Sequence, residues 1–364
     1  MRDGESRAIK GRGATANLSG RFESVRREAL DDGWTTGDDE APPPSARTVI
    51  HIEQARSILS HNDSPDLRFT QSINPYRGCE HGCIYCYARP THAYVNLSPG
   101  LDFETQLFAK RNAADLLRAE LLRPGYRVAT INLGAATDPY QPIEKTERIT
   151  RRVLEVLAAC RHPVTLVTKG ALVTRDLDLL AAMARERLVH VFISITQLDR
   201  QLTRILEPRA ASPERRLDAA RALAEAGVPV SVLVAPIIPF VNDAFLETVL
   251  ERAAAAGAVG AGYTVLRLPW EVRPLWTAWL EAHFPERAAH VMARLRDLRG
   301  GAENDATFGH RMKGQGPWAD LIRQRFRLAC RRHGLATGDA LAERYPLDAA
   351  RFDPARLAGQ AALF

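Results

Sequence analysis

The sequence predicts an α/β fold built from six strand–helix units, either an incomplete (β/α) barrel or a doubly wound sheet. Two observations carry this. Short runs rich in β-branched residues alternate with longer stretches rich in Ala, Leu and Arg, the alternation that right-handed βαβ units produce. The runs beginning at 128, 164, 189 and 228 are nearly continuously apolar, as strands buried on both faces of a parallel sheet are. In either fold, ligands sit at the C-terminal ends of the strands.

The elements follow in order. Residues 1–45 mix Gly, Ser, Asp and Arg with three prolines at 42–44 and show little apolar periodicity, which predicts a flexible arm. From Thr48 the pattern becomes globular. Phe69–Ile73 reads as a strand leading into a cysteine-rich loop, and a helix is expected over about 103–122. Val128–Leu133, Val164–Thr168 and Val189–Ile195 read as strands, with helices over about 146–160 and 175–187 between them. Helical segments at about 199–206 and 213–226 precede a strand at Val228–Ala235 and a helix at about 243–256. Gly262–Leu268 is the last strand expected, followed by helices over about 272–298 and 316–333. In the last of these, Trp318, Leu321, Ile322 and Phe326 fall at the spacing of a packing face.

At 364 residues and 46% hydrophobic, the chain is too apolar for wholesale disorder. Its longest apolar stretch, Val228–Ile238, is interrupted by Pro229 and Pro236 and is too short to span a bilayer. The first residues are polar and lack the apolar core of a secretory signal, so no membrane partner and a cytoplasmic location are expected. The net charge of +6 comes from 44 Arg and only 5 Lys against 43 acidic residues. Residues 287–333 hold 11 basic and 4 acidic residues. That segment is either a phosphate-binding surface or the solvated faces of Arg-rich helices.

Five cysteines, an odd and low number, argue against a disulfide framework. Cys79, Cys83 and Cys86 fall within eight residues, in C-x3-C-x2-C spacing. Three thiolates on one short loop suit an iron–sulfur cluster, with one iron left open to a substrate or cofactor. Gly78 and Gly82 permit the tight backbone this requires. Structural zinc is the other reading; it normally takes four ligands. No second C-x2-C pair exists, and His81 or His92 would have to serve at an unusual spacing. Inert buried cysteines are a third.

With Tyr85 as the aromatic, the loop resembles the C-x3-C-x-aromatic-C signature of radical S-adenosylmethionine (SAM) enzymes. Within that superfamily the chain resembles the spore photoproduct lyase-related group over about residues 65–270. The likeness runs through Val167-Thr168-Lys169, Phe192 to Ser194, and Glu207-Pro208 to Ala235-Pro236-Ile237. It is closer to bacterial relatives carrying Asn74-Pro-Tyr-Arg-Gly-Cys79 and Thr137-Asp138-Pro139-Tyr140-Gln141-Pro142. The resemblance implies a partial (β/α)6 radical SAM barrel over 46–272, a helical basic C-terminal extension over 273–364 and the arm over 1–45. It implies a 4Fe–4S cluster on Cys79, Cys83 and Cys86, with SAM bound at the open iron. The activity implied is reductive cleavage of SAM and hydrogen abstraction from a substrate, possibly nucleic acid. An electron donor such as flavodoxin or ferredoxin would be a partner. Alternatives are a non-catalytic, metal-stabilised nucleic-acid-binding protein, and a radical SAM enzyme acting on a peptide or small metabolite.

By the same resemblance, Tyr85 would pack on the adenine of SAM, unless it is a core aromatic. Gly134, Thr137 and Asp138 lie where the superfamily holds the SAM amino group, although Gly-Gly-Glu is not present as such. Asp138 is equally suited to capping its own Asp-Pro turn. Lys169 resembles a SAM-contacting lysine, and Ser194 and Thr196 would reach the ribose or be satisfied core hydroxyls. Arg209 would fork onto a carboxylate or phosphate, or pair within the protein. Asn242-Asp243 is expected to cap the next helix. The catalytic residue is left unassigned. The hydrogen-returning cysteine of the lyases would fall near Ala135, where no cysteine stands, leaving Tyr87 or Tyr140 as candidates.

Overall fold

The computed structural model describes residues 9–22 and 47–358. Its centre is a sheet of six parallel strands. They are β1 (Gln71–Ile73), β2 (Ile131–Leu133), β3 (Val164–Thr168), β4 (Val189–Ser194), β5 (Val230–Ile237) and β6 (Gly260–Val265). Each pairs with the next in sequence, so spatial order equals chain order. A doubly wound sheet needs a reversal of order; this sheet has none and follows the topology of a barrel. It stays open, with β1 and β6 unpaired to each other. Leu59–His61 adds an antiparallel strand beside β1.

β1 and β2 are buried at every residue, and β4 and β5 at all but one and two. The apolar runs at Val189–Ser194 and Val230–Ile237 become strands covered on both faces, each fully buried Val, Leu or Ile contributing about 1.5–3 kcal/mol. The helix Ile149–Ala159 shows how the cover is built. It buries Ile149, Val153, Leu154, Val156 and Leu157, one stripe of a 3.6-residue period. It packs beside the helix Ala113–Leu121.

The free edge of β6 is blunted by the C-terminal extension. Ala261 N–H donates to Ala336 O at 2.9 Å, Ala336 N–H to Val259 O at 3.0 Å and Val265 N–H to Met312 O at 2.8 Å. An exposed strand edge is thereby covered. The helix Gly316–Arg332 buries Ala319, Ile322, Phe326, Ala329 and Cys330, and it lies against the helix Leu246–Ala255. Leu321, expected on its packing face, is exposed. Much of the basic charge here is internally used. Arg325 forks onto Glu247 with both bonds at 2.7 Å, and Arg311 pairs with Asp66 at 2.5 Å.

Several boundaries differ from the sequence reading. The helix expected over 103–122 is a short turn, Asp102–Thr105, then a strand, Gln106–Ala109, and only then a helix. That strand joins Val49–Ile52 and Tyr76–Arg77 in a second, three-stranded sheet. The expected helix over 272–298 is two, Val272–His283 and Pro285–Asp297. Pro285 starts the second, as its missing N–H favours. Within the expected arm, residues 1–8 and 23–45 lie outside the described residues. Residues 9–22 are packed, with Arg12, Gly13, Ala14 and Thr15 buried.

Candidate functional site around the cysteine loop

The strand Tyr76–Arg77 pairs antiparallel with Gln106–Ala109, which hangs the cysteine loop between the two sheets, just after β1. Gly78 (φ +78°) and Gly82 (φ +68°) adopt left-handed backbone. At Gly78 an added Cβ would lie 2.8 Å from both His92 and Leu107, so no side chain fits there. Cys79 N–H donates to Phe103 O at 2.9 Å, Cys86 N–H to Cys83 O at 3.2 Å and Ile84 N–H to Leu206 O at 3.1 Å. The Arg89 guanidinium is wholly buried and donates to Cys83 O at 2.9 Å and Gly82 O at 3.2 Å. The loop is therefore held by its backbone, leaving its thiols uncommitted.

Cys79, Cys83 and Cys86 are free thiols, close enough to perturb one another. Burial pushes Cys79 well above the usual thiol range, with Asp138, Cys83 and Cys86 adding to it. Burial likewise pushes Cys83 up to about 12, against a downward pull from Lys169. Thiolates at buried Cys79 and Cys83, with half-buried Cys86 beside them, are costly unless a bound cation compensates them. Among the described residues, no group of three or more His, Cys, Asp or Glu is gathered closely enough to hold a single metal ion. Both histidines considered as a fourth zinc ligand are engaged elsewhere. His81 Nδ1 lies 3.2 Å from Asp138 Oδ2, and His92 Nε2 bonds Gln106 O at 2.8 Å. A set of three thiolates suits a soft or borderline metal.

The strand ends meet the loop through two polar networks. In the first, Asp138 accepts from Thr168 Oγ1 at 2.6 Å, Lys169 N–H at 2.7 Å and Tyr140 N–H at 2.9 Å. Burial alone would raise its carboxyl, but His81, Thr168 and the Lys169 amide outweigh it and hold it at about 2. Thr137 Oγ1 donates to Gly78 O at 2.7 Å, and Gln141 Nε2 to Gly78 O at 3.2 Å. Gln141 Oε1 accepts from Glu80 N–H at 2.8 Å. Thr137 and Asp138 thus brace the loop. Gly134 (φ +96°) leaves no room for a Cβ, which would meet Pro139 at 2.6 Å and Val167 O at 2.8 Å.

The second network centres on Glu207, which is fully buried. It accepts from the Tyr85 hydroxyl, from Thr196 Oγ1 at 3.1 Å and from Arg216. Arg216 also donates to Ser194 O at 2.9 Å and Ala211 O at 2.7 Å. Burial opposes the charge of Glu207, but Arg216 and Lys169 keep it ionised. Tyr85 is buried with its hydroxyl committed here. Asn242, expected as a cap, instead ties two strand ends together. It accepts from Ile238 N–H at 2.7 Å and donates to Thr196 O and Pro236 O at 3.0 and 2.9 Å.

Arg209 pairs with Glu80 at 2.7 Å, taking the internal partner rather than facing the strand ends. Lys169 is different: its ammonium lies 5.7 Å from the Tyr85 ring centroid and has no carboxylate within ion-pair distance among the described residues. Ser194 is buried at the end of β4. Tyr87 is exposed, and its hydroxyl donates to Ala135 O. Tyr140 is buried and donates to Asp176 at 2.9 Å. Gln141 and Arg216 were missed from sequence because their bonds form only on folding, and His81, weighed there as a zinc ligand, pairs with Asp138 instead.

A parallel sheet in barrel order, with a three-cysteine loop after its first strand, defines the class of enzyme that builds its site at that loop. The Radical SAM superfamily model matches residues 73–253, and the chain belongs to that superfamily. It is 40% identical over 234 residues to an uncharacterized protein of Mycobacterium tuberculosis (strain ATCC 25618 / H37Rv), covering 64% of this chain and 68% of that one. It is 31% identical over 195 residues to an uncharacterized protein of Methanocaldococcus jannaschii, covering 54% and 70%. Spore photoproduct lyase complexed with dinucleoside spore photoproduct has a similar fold. Its TM-score is 0.58 at 17% identity, over 80% of this chain and 82% of that one. That likeness extends to the fold.

Proposed function

We propose that this radical SAM enzyme holds a 4Fe–4S cluster on Cys79, Cys83 and Cys86 and binds SAM at the iron left without a protein ligand. The carrying observation is the set of three free thiols on one backbone-held loop. When bound, the cluster would supply the electron that cleaves SAM, and the resulting 5′-deoxyadenosyl radical would take hydrogen from the substrate.

The chain's own residues divide the remaining work. Lys169 offers a half-buried cation with no direct ion pair among the described residues, suited to the SAM carboxylate. Ser194 stands at a strand end where a ribose hydroxyl could bond. Thr137, Asp138, Tyr85 and Thr196 fix the loop and strand ends rather than offering free groups. Tyr87, beside Cys86 and bonded to Ala135 O, is better placed than the buried Tyr140 to return hydrogen. A nucleic-acid substrate is supported by exposed Tyr87, Tyr94 and Trp270 beside cationic groups, a combination that favours stacking and phosphate contact. A flavodoxin or ferredoxin would supply the electron, and a cytoplasmic location fits such a donor. No helix among the described residues is long and apolar enough to cross a membrane.

The test is anaerobic reconstitution with iron and sulfide, reduction with SAM present and assay of 5′-deoxyadenosine. The reading expects a brown protein with roughly four irons that releases 5′-deoxyadenosine. Loss of both in Cys83→Ala, and loss of product with iron retained in Lys169→Met, would fit the roles given. A colourless, zinc-holding protein that leaves SAM intact would overturn it in favour of a non-catalytic nucleic-acid-binding protein. Salt-insensitive, negligible binding of single-stranded DNA and RNA would redirect the substrate search to peptides and small metabolites.

A further inference from the structure

We propose that residues 9–22 are a strap that positions the cysteine loop, with Gly13 and Glu104 as its positioning residues. The proposal concerns the loop read above as the cluster site, and its role for a cluster rests on that reading.

The strap reaches the loop along two lines. Glu104 is wholly buried and accepts from Gly13 N–H at 2.9 Å, Ala14 N–H at 2.8 Å and the Arg89 guanidinium at 2.5 Å. Arg89 in turn holds the carbonyls of Gly82 and Cys83. The strap's backbone, Glu104, Arg89 and the peptides around the middle cysteine therefore form one continuous chain of bonds. Arg12 opens the second line. It donates to Glu104 O at 2.9 Å and to Thr48 Oγ1 at 3.1 Å. Thr48 donates to Glu80 at 2.6 Å, the residue after Cys79.

Contact is direct as well. A Cβ added to Gly13 would lie 1.8 Å from Gly82 O and 3.0 Å from Gly82 C. The two backbones touch, and even a methyl group must lift the strap or displace the loop. Further along, Asn17 and Asp102 bond each other twice, at 3.1 and 3.2 Å, and Ser98 Oγ donates to Leu18 O at 2.5 Å. At the far end, Arg21 N–H donates to Glu271 at 3.2 Å. The Arg21 guanidinium lies 4.2 Å from the Trp270 ring centroid. Trp270 and Glu271 follow β6, whereas Gly82 follows β1. The strap thus bridges the loops after the first and last parallel strands, which the open sheet leaves unpaired to each other. Buried bonds of this kind hold only while both ends are seated; unseating one end exposes the Glu104–Arg89 pair and frees the loop.

The experiment uses the full chain and two variants, Gly13→Ala at the loop end and Arg21→Ala at the far anchor. In the iron-free protein, alkylation of each cysteine by iodoacetamide is followed by mass spectrometry, with buried Cys160 and Cys330 as internal controls. The strap predicts that Cys79, Cys83 and Cys86 react roughly five-fold faster or more in both variants, with Cys160 and Cys330 unchanged. Unchanged rates at the three loop cysteines in both variants overturn it. Faster reaction of all five cysteines together also overturns it, because that is general unfolding. Should Gly13→Ala fail to fold, Arg21→Ala decides alone. In reconstituted protein, faster loss of iron to a chelator in the variants extends the role to the cluster. If wild-type protein holds no iron and sulfide, the cluster reading fails while the alkylation rates still decide the strap.

Discussion

Replacing Glu207 by Leu should be among the most damaging single changes in the molecule, and its cost can be worked from the contacts. Glu207 and Arg216 are 0% and 1% exposed, so solvent gives little screening. Removing the carboxylate leaves the Arg216 cation buried with only two carbonyl partners, a situation worth about 3–5 kcal/mol. The Tyr85 hydroxyl loses its acceptor too, adding about 1 kcal/mol. A loss of roughly 4–6 kcal/mol is a large share of the 5–15 kcal/mol typical of folded proteins. The assay is urea unfolding of the iron-free protein followed by circular dichroism, comparing midpoints at constant slope. Glu207→Leu combined with Arg216→Met should recover more than half the loss, because an apolar pair no longer strands a charge. A single-variant cost below about 1 kcal/mol, or strict additivity in the double variant, would refute the reasoning.

Three other outcomes are expected. Gly134→Ala should cost about 1–3 kcal/mol, read as a lowered thermal midpoint, since its φ is +96° and Pro139 stands 2.6 Å from the new methyl. Thr137→Val should cost only about 0.5–1.5 kcal/mol, because Gln141 still reaches Gly78 O. Adding Gln141→Ala should cost more than the sum of the two, measured by the same urea midpoints. Acidification gives the third. Burial lowers His162 and His190 to about 4, so both stay neutral in the folded protein while the unfolded chain protonates near 6.5. Stability attributable to each is intact above pH 6.5 and falls as pH drops toward 4, by about 2 kcal/mol at pH 5. His190→Asn should remove that share of the pH dependence; a pH 5 to pH 8 difference equal to wild type would count against it.

The sheet was legible because its signal is local. Val164–Thr168 and Val189–Ser194 are rich in β-branched residues and short, and between helical stretches such runs read as strands. Val230–Ile237 shows the limit: the strand continues through Pro236, where composition suggested a break. The strand Gln106–Ala109 was hidden for another reason. Its pattern suits a helix, and its partners at Val49–Ile52 and Tyr76–Arg77 come from elsewhere in the chain. Residues 9–22 are polar and glycine-rich, the composition of an unpacked arm. Their order comes from backbone N–H groups meeting a buried carboxylate 90 residues away, and composition carries no trace of that.

The site divides along the same line. The cysteine spacing is local chemistry and reads directly as a set of soft ligands. The residues around it do not, because whether a polar side chain is spent on the protein or left for a ligand depends on partners that only folding supplies. Asp138 has bonding partners at His81, Tyr140, Thr168 and Lys169, so little of its capacity remains for a bound molecule. Tyr85 and Thr196 are spent on Glu207, and Arg209 on Glu80. A buried polar group is costly unless bonded, so a cation that the fold leaves without a direct ion pair is one that a ligand would bond. Lys169, half-buried beside Tyr85 and Cys83, feels the charges of Glu207 and Asp138 but forms no direct ion pair among the described residues, so its ammonium keeps donor capacity that a ligand would use.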